Sequence, residues 1–590
     1  LLRKVVDEAF CSRSGEKALD LLGDLAFERG RFDEAEGWWR SLAPLDGGDK
    51  RESEGGELLY PDPQGTARSR AKQLLARLFR GDAEFESDLE AFRARHGKAE
   101  GALAGGKGTY ADLLRALAAA RKKAPVAVPE WTTFGGDPER GLVVPGGPDV
   151  LERLARLCRA GPTWRFDLET RQRILGRPAP PDTAVGKPLF ARGLAFHPVI
   201  AAGAVLVADA RRVTAYDLRT GESSDWYDAA DEFGGFAGKE KLPAPADLRY
   251  TLTVAGGRVY ARLGAQEVRP PDKEGRGAAE SLLVCLSLRP SSSGKRLLWY
   301  ARPAVVGNAV FEGAPLVCDG VVAVAATRFE NGRAVTELIG YPADTESISP
   351  APLWRTTVCE AHELRPGLKR GEGRFRHHLL TRAGHRLVYC SHSGALVAVD
   401  ALTGRRLWGL RYPRRAEDDE DAPPLRDLTP CLFAGGRLYA APADSDRLLC
   451  LDPATGKTLW EREHTHVVHL LGVGQGRLIF TTPDGLCGVD AATGNKVWSQ
   501  PDSNGRLSPL GRGILLGDLV LWPTPPGSGR PYGVYAVRQK DGRQPDGSDP
   551  SLLHRIPSGN LVYADGCLAV TDRQTLSVFV PAAFDLDERE

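Results

Sequence analysis

Three histidines fall within six residues in HTHVVH, 464 to 469. On an extended strand alternate side chains share a face, so His464 and His466 are spaced to ligate one metal ion. The stretch lies between Trp460 and the next apolar run, in a loop or at a strand margin, where solvated surface histidines are the expected reading. In RFRHHLL, 374 to 380, the adjacent His377 and His378 would point to opposite faces, a poorer arrangement for chelation. The ten cysteines stand singly, at 11, 158, 285, 318, 359, 390, 431, 450, 487 and 567, and no two are separated by only two residues. That spacing argues against a zinc site of the paired-cysteine kind. Cys285, Cys390, Cys450 and Cys487 sit in apolar strand runs, where a cysteine reads as a small buried hydrophobe rather than a disulfide partner. The acids of DLRTG and DPATG are turn residues. No glycine-rich phosphate loop with a following lysine, no H-E-x-x-H and no G-x-S-x-G occurs. No catalytic residue, cofactor-binding residue or metal ligand is assigned, and no cofactor is expected.

The background fits a large soluble globular chain. At 590 residues, 42% hydrophobic and 26% charged, there is enough sequence for a large core or two domains. A formal net charge of +1 gives no bulk attraction to nucleic acid or anionic membrane, although a local patch such as Arg411 to Arg415 could still touch an anion. No run approaches the roughly 18 consecutive apolar residues needed to cross a bilayer. The start LLRKVVDEAF is neither a signal peptide nor an initiator sequence and reads as a fragment or processed form, which leaves export open.

The texture changes near residue 125. Before it, ALDLLGDLAFERGRFDEAEGWWRSL (18 to 42) places Leu19, Leu22, Gly23, Ala26, Gly30, Phe32, Ala35 and Trp39 as two packed antiparallel helices require. Gly23 and Ala35 would let the helices approach, and Trp39 would fill the groove between them. One unit resembles a tetratricopeptide repeat; a weaker helical pair follows at 67 to 92 and a further helix at 110 to 124. PVAVPE (125 to 130) is a proline-marked connector.

Beyond it, short apolar strands are punctuated by glycine. Gly203, Gly257, Gly320, Gly384, Gly436, Gly476, Gly517 and Gly566 each precede a strand, at intervals of 54, 63, 64, 52, 40, 41 and 49 residues. That is the period of a four-stranded propeller blade with variable loops, and eight signals imply eight blades. Trp226, Trp299, Trp354, Trp408, Trp460 and Trp498 run in phase with the glycines, and the last two blades lack this tryptophan. Trp164 precedes the series, as ring closure requires if an N-terminal strand completes the last blade and removes two open sheet edges. The expected fold is mainly β: an eight-bladed β-propeller at 131–590, preceded by a small α-helical, tetratricopeptide-like domain at 1–124 and a linker at 125–130. Three long insertions, at 267 to 281, 411 to 424 and 522 to 531, lengthen loops on this scaffold, where binding sites tend to lie. The acidic run Glu417 to Asp421 reads as solvated.

The pattern AVDALTGRRLW (398 to 408) returns as CLDPATGKTLW (450 to 460) and GVDAATGNKVW (488 to 498). It resembles the tryptophan-docking motif of pyrroloquinoline-quinone-like propellers, and WTTFGGDPERG (131 to 141) is similar to the opening segment of that superfamily. The resemblance covers about residues 131 to 590. It implies a structural motif of Asp400, Gly404, Trp408, Asp452, Gly456, Trp460, Asp490, Gly494 and Trp498, in which each turn and indole staple neighbouring blades. The superfamily includes quinoprotein dehydrogenases, the outer-membrane assembly lipoprotein of the barrel-assembly machinery and many uncharacterised bacterial proteins; helical repeats ahead of such a propeller resemble planctomycete-type architectures. Quinone-binding members hold the cofactor between a tryptophan floor and a disulfide of adjacent cysteines, beside a calcium ion, and no Cys-Cys pair occurs here. The missing pair and the appended helical repeat favour a non-catalytic protein-binding adaptor or scaffold, and the resemblance slightly favours periplasmic or cell-envelope residence. The alternative is a quinoprotein-type oxidoreductase with pyrroloquinoline quinone and calcium in the channel.

Overall fold

The computed structural model describes the chain except for residues 46–58, 62, 81, 83, 84, 124–128, 148, 160, 169, 171, 175–195, 234–249, 265–280, 291–293, 304–308, 331, 332, 363–378, 415–428, 464–466, 501–509, 525–532, 546–552, 554, 555, 573, 574 and 582–590. Two compact units emerge, one chiefly Leu1–Val126 and the other chiefly 127–590. The domain bounds 1–124 and 131–590 given above are the division we propose.

The first unit is helical, with helices at Leu2–Ala9, Arg13–Glu28, Phe32–Arg40, Thr66–Arg80, Phe85–His96 and Tyr110–Lys123. Ser12 caps the second of these by accepting from the Gly15 N–H at 3.0 Å. Trp39 is buried, its Nε1 donates to the Asp20 carbonyl at 3.3 Å, and a Cβ on Gly23 would come within 2.2 Å of that nitrogen. Glycine is thus the residue that admits the indole between the helices. Glu36 is buried beside Arg77, Arg80 and Arg40; burial pushes its carboxyl up, but the three guanidiniums hold it down at about 2. A two-stranded hairpin, Glu100–Leu103 with Gly106–Thr109, interrupts the helices. The helical reading of the sequence did not include it, because its signal is only the turn Ala104-Gly105, both at positive φ.

The second unit is an eight-bladed propeller. Blades one to six each consist of four consecutive antiparallel strands, from Val199–Ala201 through Ser223–Asp228 in blade one to His469–Gly474 through Lys496–Gln500 in blade six. All eight marker glycines lie in the left-handed region, between +60° and +79°, in the turn from the first to the second strand of a blade. Six of them follow another residue at positive φ, the pattern of the tight hairpin turn that matches strand twist. The second and third strands of most blades are buried on both faces, so they read as continuous Val, Leu and Ala runs instead of an alternation, while outermost strands such as Arg406–Arg411 and Lys496–Gln500 are largely exposed or half-buried.

The last two blades depart from this plan. Blade seven has Ile514–Leu516, Leu519–Thr524 and Gly533–Arg538, and on the inner side of the first lies the parallel strand Val143–Val144. Blade eight has Asn560–Ala564, Cys567–Thr571 and Thr575–Phe579, continued outward by Trp164–Asp167 and Gln172–Arg173. Trp164 pairs with Val578, so an N-terminal strand closes the ring.

Candidate functional site at the propeller axis

The innermost strands of a propeller surround its axis, so a segment that touches the inner strands of opposite blades must lie at the centre. Residues 131 to 144 do this. Trp131 exchanges backbone hydrogen bonds with Ile200 of blade one at 2.9 Å, and the Thr132 carbonyl accepts from Val254 of blade two at 2.8 Å. Phe134 packs on Ala314 of blade three and on Leu379. The Pro138 carbonyl accepts from Arg382 of blade four at 2.9 Å, and that of Glu139 from Phe433 of blade five at 3.0 Å. Val143–Val144 then pairs with Leu515 and Leu516 of blade seven. A tight local turn shapes the segment: the Gly136 N–H donates to Thr133, the Thr132 N–H to Gly136 and the Leu142 N–H to Gly135.

Two guanidiniums hold the segment in place. Arg140, 1% exposed, donates from Nε to the Leu380 carbonyl at 2.8 Å and from Nη1 to Thr133 Oγ1 and the Phe134 carbonyl at 2.9 and 3.0 Å. Arg512, 2% exposed, sends Nη2 to the carbonyls of Arg140, Leu470 and Leu471 at 3.2, 3.1 and 3.1 Å, joining the segment to blade six. Its backbone N–H donates to Asn560 of blade eight at 2.9 Å, and Asn560 Nδ2 donates to the Phe196 carbonyl at 2.7 Å. Burial pushes both guanidiniums down to about 10, so both remain cations at neutral pH. Nearby, Arg382 Nε donates to Glu139 Oε1 at 2.6 Å. Asp137, part-buried, accepts from the Gly141 N–H at 3.1 Å; desolvation first and the neighbouring Glu139 second push its carboxyl up to about 7.

Chemically this is a region of buried cations donating to backbone carbonyls, with Arg140 Nη2 left without a partner among the described residues. A planar quinone beside a calcium ion, the group that the sequence resemblance brings with it, does not fit the residues here: the chain's own backbone and two buried arginine side chains occupy the centre at this level. Among the described residues no group of three or more His, Cys, Asp or Glu is placed to hold a metal ion. None of Asp137, Arg140, Arg382 and Arg512 was singled out from sequence. The signal was WTTFGGDPERG itself, whose polar and glycine content is odd for a strand.

The residues picked from the repeat motif lie where adjacent blades meet. Asp400 Oδ1 accepts from the Thr403 N–H and hydroxyl at 2.9 and 2.8 Å, and the Gly404 N–H closes the turn onto the Asp400 carbonyl at 2.8 Å. Asp490, Thr493 and Gly494 repeat this; Asp452 takes the Ala454 N–H at 2.8 Å, and Gly456 closes onto its carbonyl. The turns at Asp400–Gly404 and Asp490–Gly494 receive the indole of the preceding blade. Trp354 Nε1 donates to the Ala401 carbonyl, Trp460 to Ala491, Trp498 to Gln539 and Trp164 to Leu218, all between 3.0 and 3.1 Å. A Cβ on Gly404, Gly494, Gly542 or Gly221 would strike the same four rings at 2.5–2.6 Å. Trp408 is buried, 9% exposed, in the cluster between blades four and five. The blade two to three junction differs: blade three has no Thr-Gly turn, the Ala343 carbonyl is taken by Arg258 and by Tyr260 Oη at 3.4 Å, and Trp299 packs between Tyr260 and Tyr341. We propose on this geometry that the motif is a staple between blades.

Other candidates from the sequence are dispersed. His469 opens a strand and its Nδ1 meets Thr481 Oγ1 at 3.0 Å, while His464, His466, His377 and His378 lie outside the described residues. So do most of the insertions 267–281 and 411–424 and the later part of 522–531; Trp522, Pro523 and Thr524 are not loop residues but buried members of Leu519–Thr524. No helix among the described residues is long and apolar enough to cross a membrane.

Residues 392–548, which run from blade four to just past blade seven, match a family model described as outer membrane protein assembly factor BamB. A comparison with curated proteins gave no match. Among solved structures, quinohemoprotein alcohol dehydrogenase from Comamonas testosteroni is similar at 15% identity over 78% of this chain and 81% of its own, with a TM-score of 0.49. BamB from Moraxella catarrhalis is similar at 15% identity over 56% of this chain and 94% of its own, with a TM-score of 0.34. Sqt1 from Saccharomyces cerevisiae is similar at 10% identity over 64% and 93%, with a TM-score of 0.37. The chain is thus an eight-bladed propeller with helices ahead of it, and its blades four to seven carry the BamB-like repeat.

Proposed function

We propose that this chain is a non-catalytic adaptor of the cell envelope, binding protein partners through its propeller loops and through the helical surface around Leu19 to Trp39. The observation that carries this reading is the crossed axis: residues 131 to 144 run across the centre and contact the inner strands of blades one to five and seven, which directs binding to the rims and loops. Further support comes from a repeat motif whose polar groups are spent on turns and indoles, from the BamB-like match over 392–548, and from a net charge of +1, which offers nucleic acid little. Helical repeats supply grooves for peptides and helices.

The test pairs two measurements on the full chain. Affinity capture from the native organism, with mass spectrometry of proteins and small molecules, is expected to recover a protein partner whose binding is weakened by loop substitutions. Titration with pyrroloquinoline quinone and calcium, followed by dye reduction with alcohols or sugars, is expected to show neither tight binding nor turnover. Turnover in the second assay overturns the adaptor reading in favour of a quinoprotein oxidoreductase.

A further inference from the structure

Arg140 and Arg512 bring two guanidiniums to the propeller axis from distant parts of the chain. Arg512 Nη2 donates to the Arg140 carbonyl at 3.2 Å, and Arg512 Cζ lies 5.5 Å from the centre of the Phe134 ring. The Phe134 carbonyl in turn accepts from Arg140 Nη1 at 3.0 Å, so both cations border the same residue. Each hydrogen bond they donate ends on a neutral acceptor, a backbone carbonyl or the Thr133 hydroxyl. Neither forms an ion pair with a carboxylate among the described residues: Glu139 is committed to Arg382, and Asp137, pushed up to about 7 by burial and then by Glu139, carries only part of a charge at neutral pH. Buried charges are ordinarily paired, because dipoles alone replace only part of the lost hydration.

One donor is left over. Arg140 Nη2 is buried and meets no acceptor among the described residues, whereas Nε and Nη1 of the same guanidinium are both used. That narrows the ligand. Carboxylate and phosphate are best held by two parallel N–H groups of one fork, and with Nε and Nη1 taken no such fork remains. A spherical anion suits a single nitrogen, and the backbone that crosses the centre also favours a monatomic ion. We propose that a chloride ion sits at the propeller axis, accepting from Arg140 Nη2 and offsetting the charge of Arg140 and Arg512. The site stands apart from the adaptor reading and does not depend on it. Arg140 is 1% exposed, but Asp137, Pro138 and Glu139 of the same segment are half-buried, so solvent reaches the segment beside the site and the ion exchanges when the segment opens there. Because the two arginines meet only in the closed ring, chloride binds the folded propeller alone and stabilises it by mass action.

The full chain is dialysed into sodium bromide and crystallised, and an anomalous difference map is calculated from data collected near the bromine absorption edge. A peak at hydrogen-bonding distance from Arg140 Nη2 is expected; a map with no bromide there overturns the proposal. In solution, chloride replaces gluconate at constant ionic strength, which holds screening fixed. The thermal midpoint is expected to rise by about 1–2 °C at a roughly tenfold excess over the dissociation constant. An axial peak without a chloride-dependent rise is an adventitious ion only and counts against the proposal. Arg140→Gln removes the charge and is expected to lose both the peak and the rise, and a folded variant that keeps the rise places the ion elsewhere and overturns the proposal. If the variant does not fold, the two measurements on the parent chain decide.

Discussion

Trp460→Ala tests how the blades are joined. The indole is 7% exposed, its Nε1 donates to Ala491 of the next blade at 3.1 Å, and its six-membered ring lies against Gly494. Removing a large buried aromatic costs about 3–5 kcal/mol. The acceptor left behind is not stranded, because Tyr439 Oη donates to the same carbonyl at 3.1 Å, so no orphan-acceptor penalty adds and the low end, about 3 kcal/mol, is expected. Trp460→Phe keeps most of the buried area and loses only the donor, about 1 kcal/mol. Gly494→Ala approaches the same contact from the other side. Its φ is +71°, and a Cβ there would sit 2.6 Å from the Trp460 ring; Gly436 has the same φ of +71° with nothing within 4 Å. Both alanines incur the left-handed penalty of about 1–2 kcal/mol, and only Gly494→Ala adds the collision with the ring. The assay is urea unfolding of the full chain, read as a midpoint shift at unchanged slope. A loss below about 1 kcal/mol for Trp460→Ala, within the range of surface substitutions, or equal losses for the two glycine variants, would refute the staple.

Two further outcomes follow from the axis. Arg512→Leu leaves the carbonyls of Arg140, Leu470 and Leu471 without this donor, an expected loss of about 3 kcal/mol; Arg512→Lys recovers little, because an ammonium cannot reproduce the planar fork, and a leucine variant as stable as the parent contradicts the axial clamp. Asp137 titrates near 7 in the folded protein against an ordinary value of 3.8, so the folded state holds the extra proton and this group's contribution is full below about pH 4 and lost as pH rises to about 7, with a steepest slope of about 1.4 kcal/mol per pH unit. Asp137→Asn keeps an acceptor for the Gly141 N–H and is expected to flatten stability between those limits; an unchanged pH profile counts against a perturbed Asp137.

The blades were legible because their markers are local. A glycine in a two-residue turn, and Asp with Thr-Gly ahead of a tryptophan, are fixed by short-range geometry and recur with the blade period, so Gly203 through Gly566 mark all eight turns and Trp164 marks the closing strand. The axis was not legible, because nothing local distinguishes it. Arg140 and Arg512 lie far apart in sequence, and each looks like an ordinary surface arginine until the ring closes and buries it. The junction of blades two and three shows the opposite failure: the tryptophan phase is intact at Trp299 of blade two, yet the turn in blade three that would receive the indole is absent and Arg258 takes over the carbonyl.

One stretch of chain closes the ring in two places. Residues 131 to 144 cross the axis and add Val143–Val144 to blade seven, while Trp164–Asp167 completes blade eight at the rim. Between them the helix Val150–Cys158 packs in the cluster that also contains Leu516, Leu519, Leu568 and Phe579. The approach is close enough that a Cβ on Gly146 would lie 3.0 Å from the Gly517 backbone. Every one of these partners is hundreds of residues away in sequence, so these contacts carry a loop-closure cost that local pairing within a blade does not. Blades one to six can form on local strand pairing, with turn–indole contacts at the three to four and five to six junctions. Blades seven and eight cannot be completed until the N-terminal part of the propeller returns to them, and the same return fills the axis. Filling the centre and closing the rim are therefore one cooperative event, which is why an axial substitution such as Arg512→Leu should weaken the rim strand at Trp164 as well.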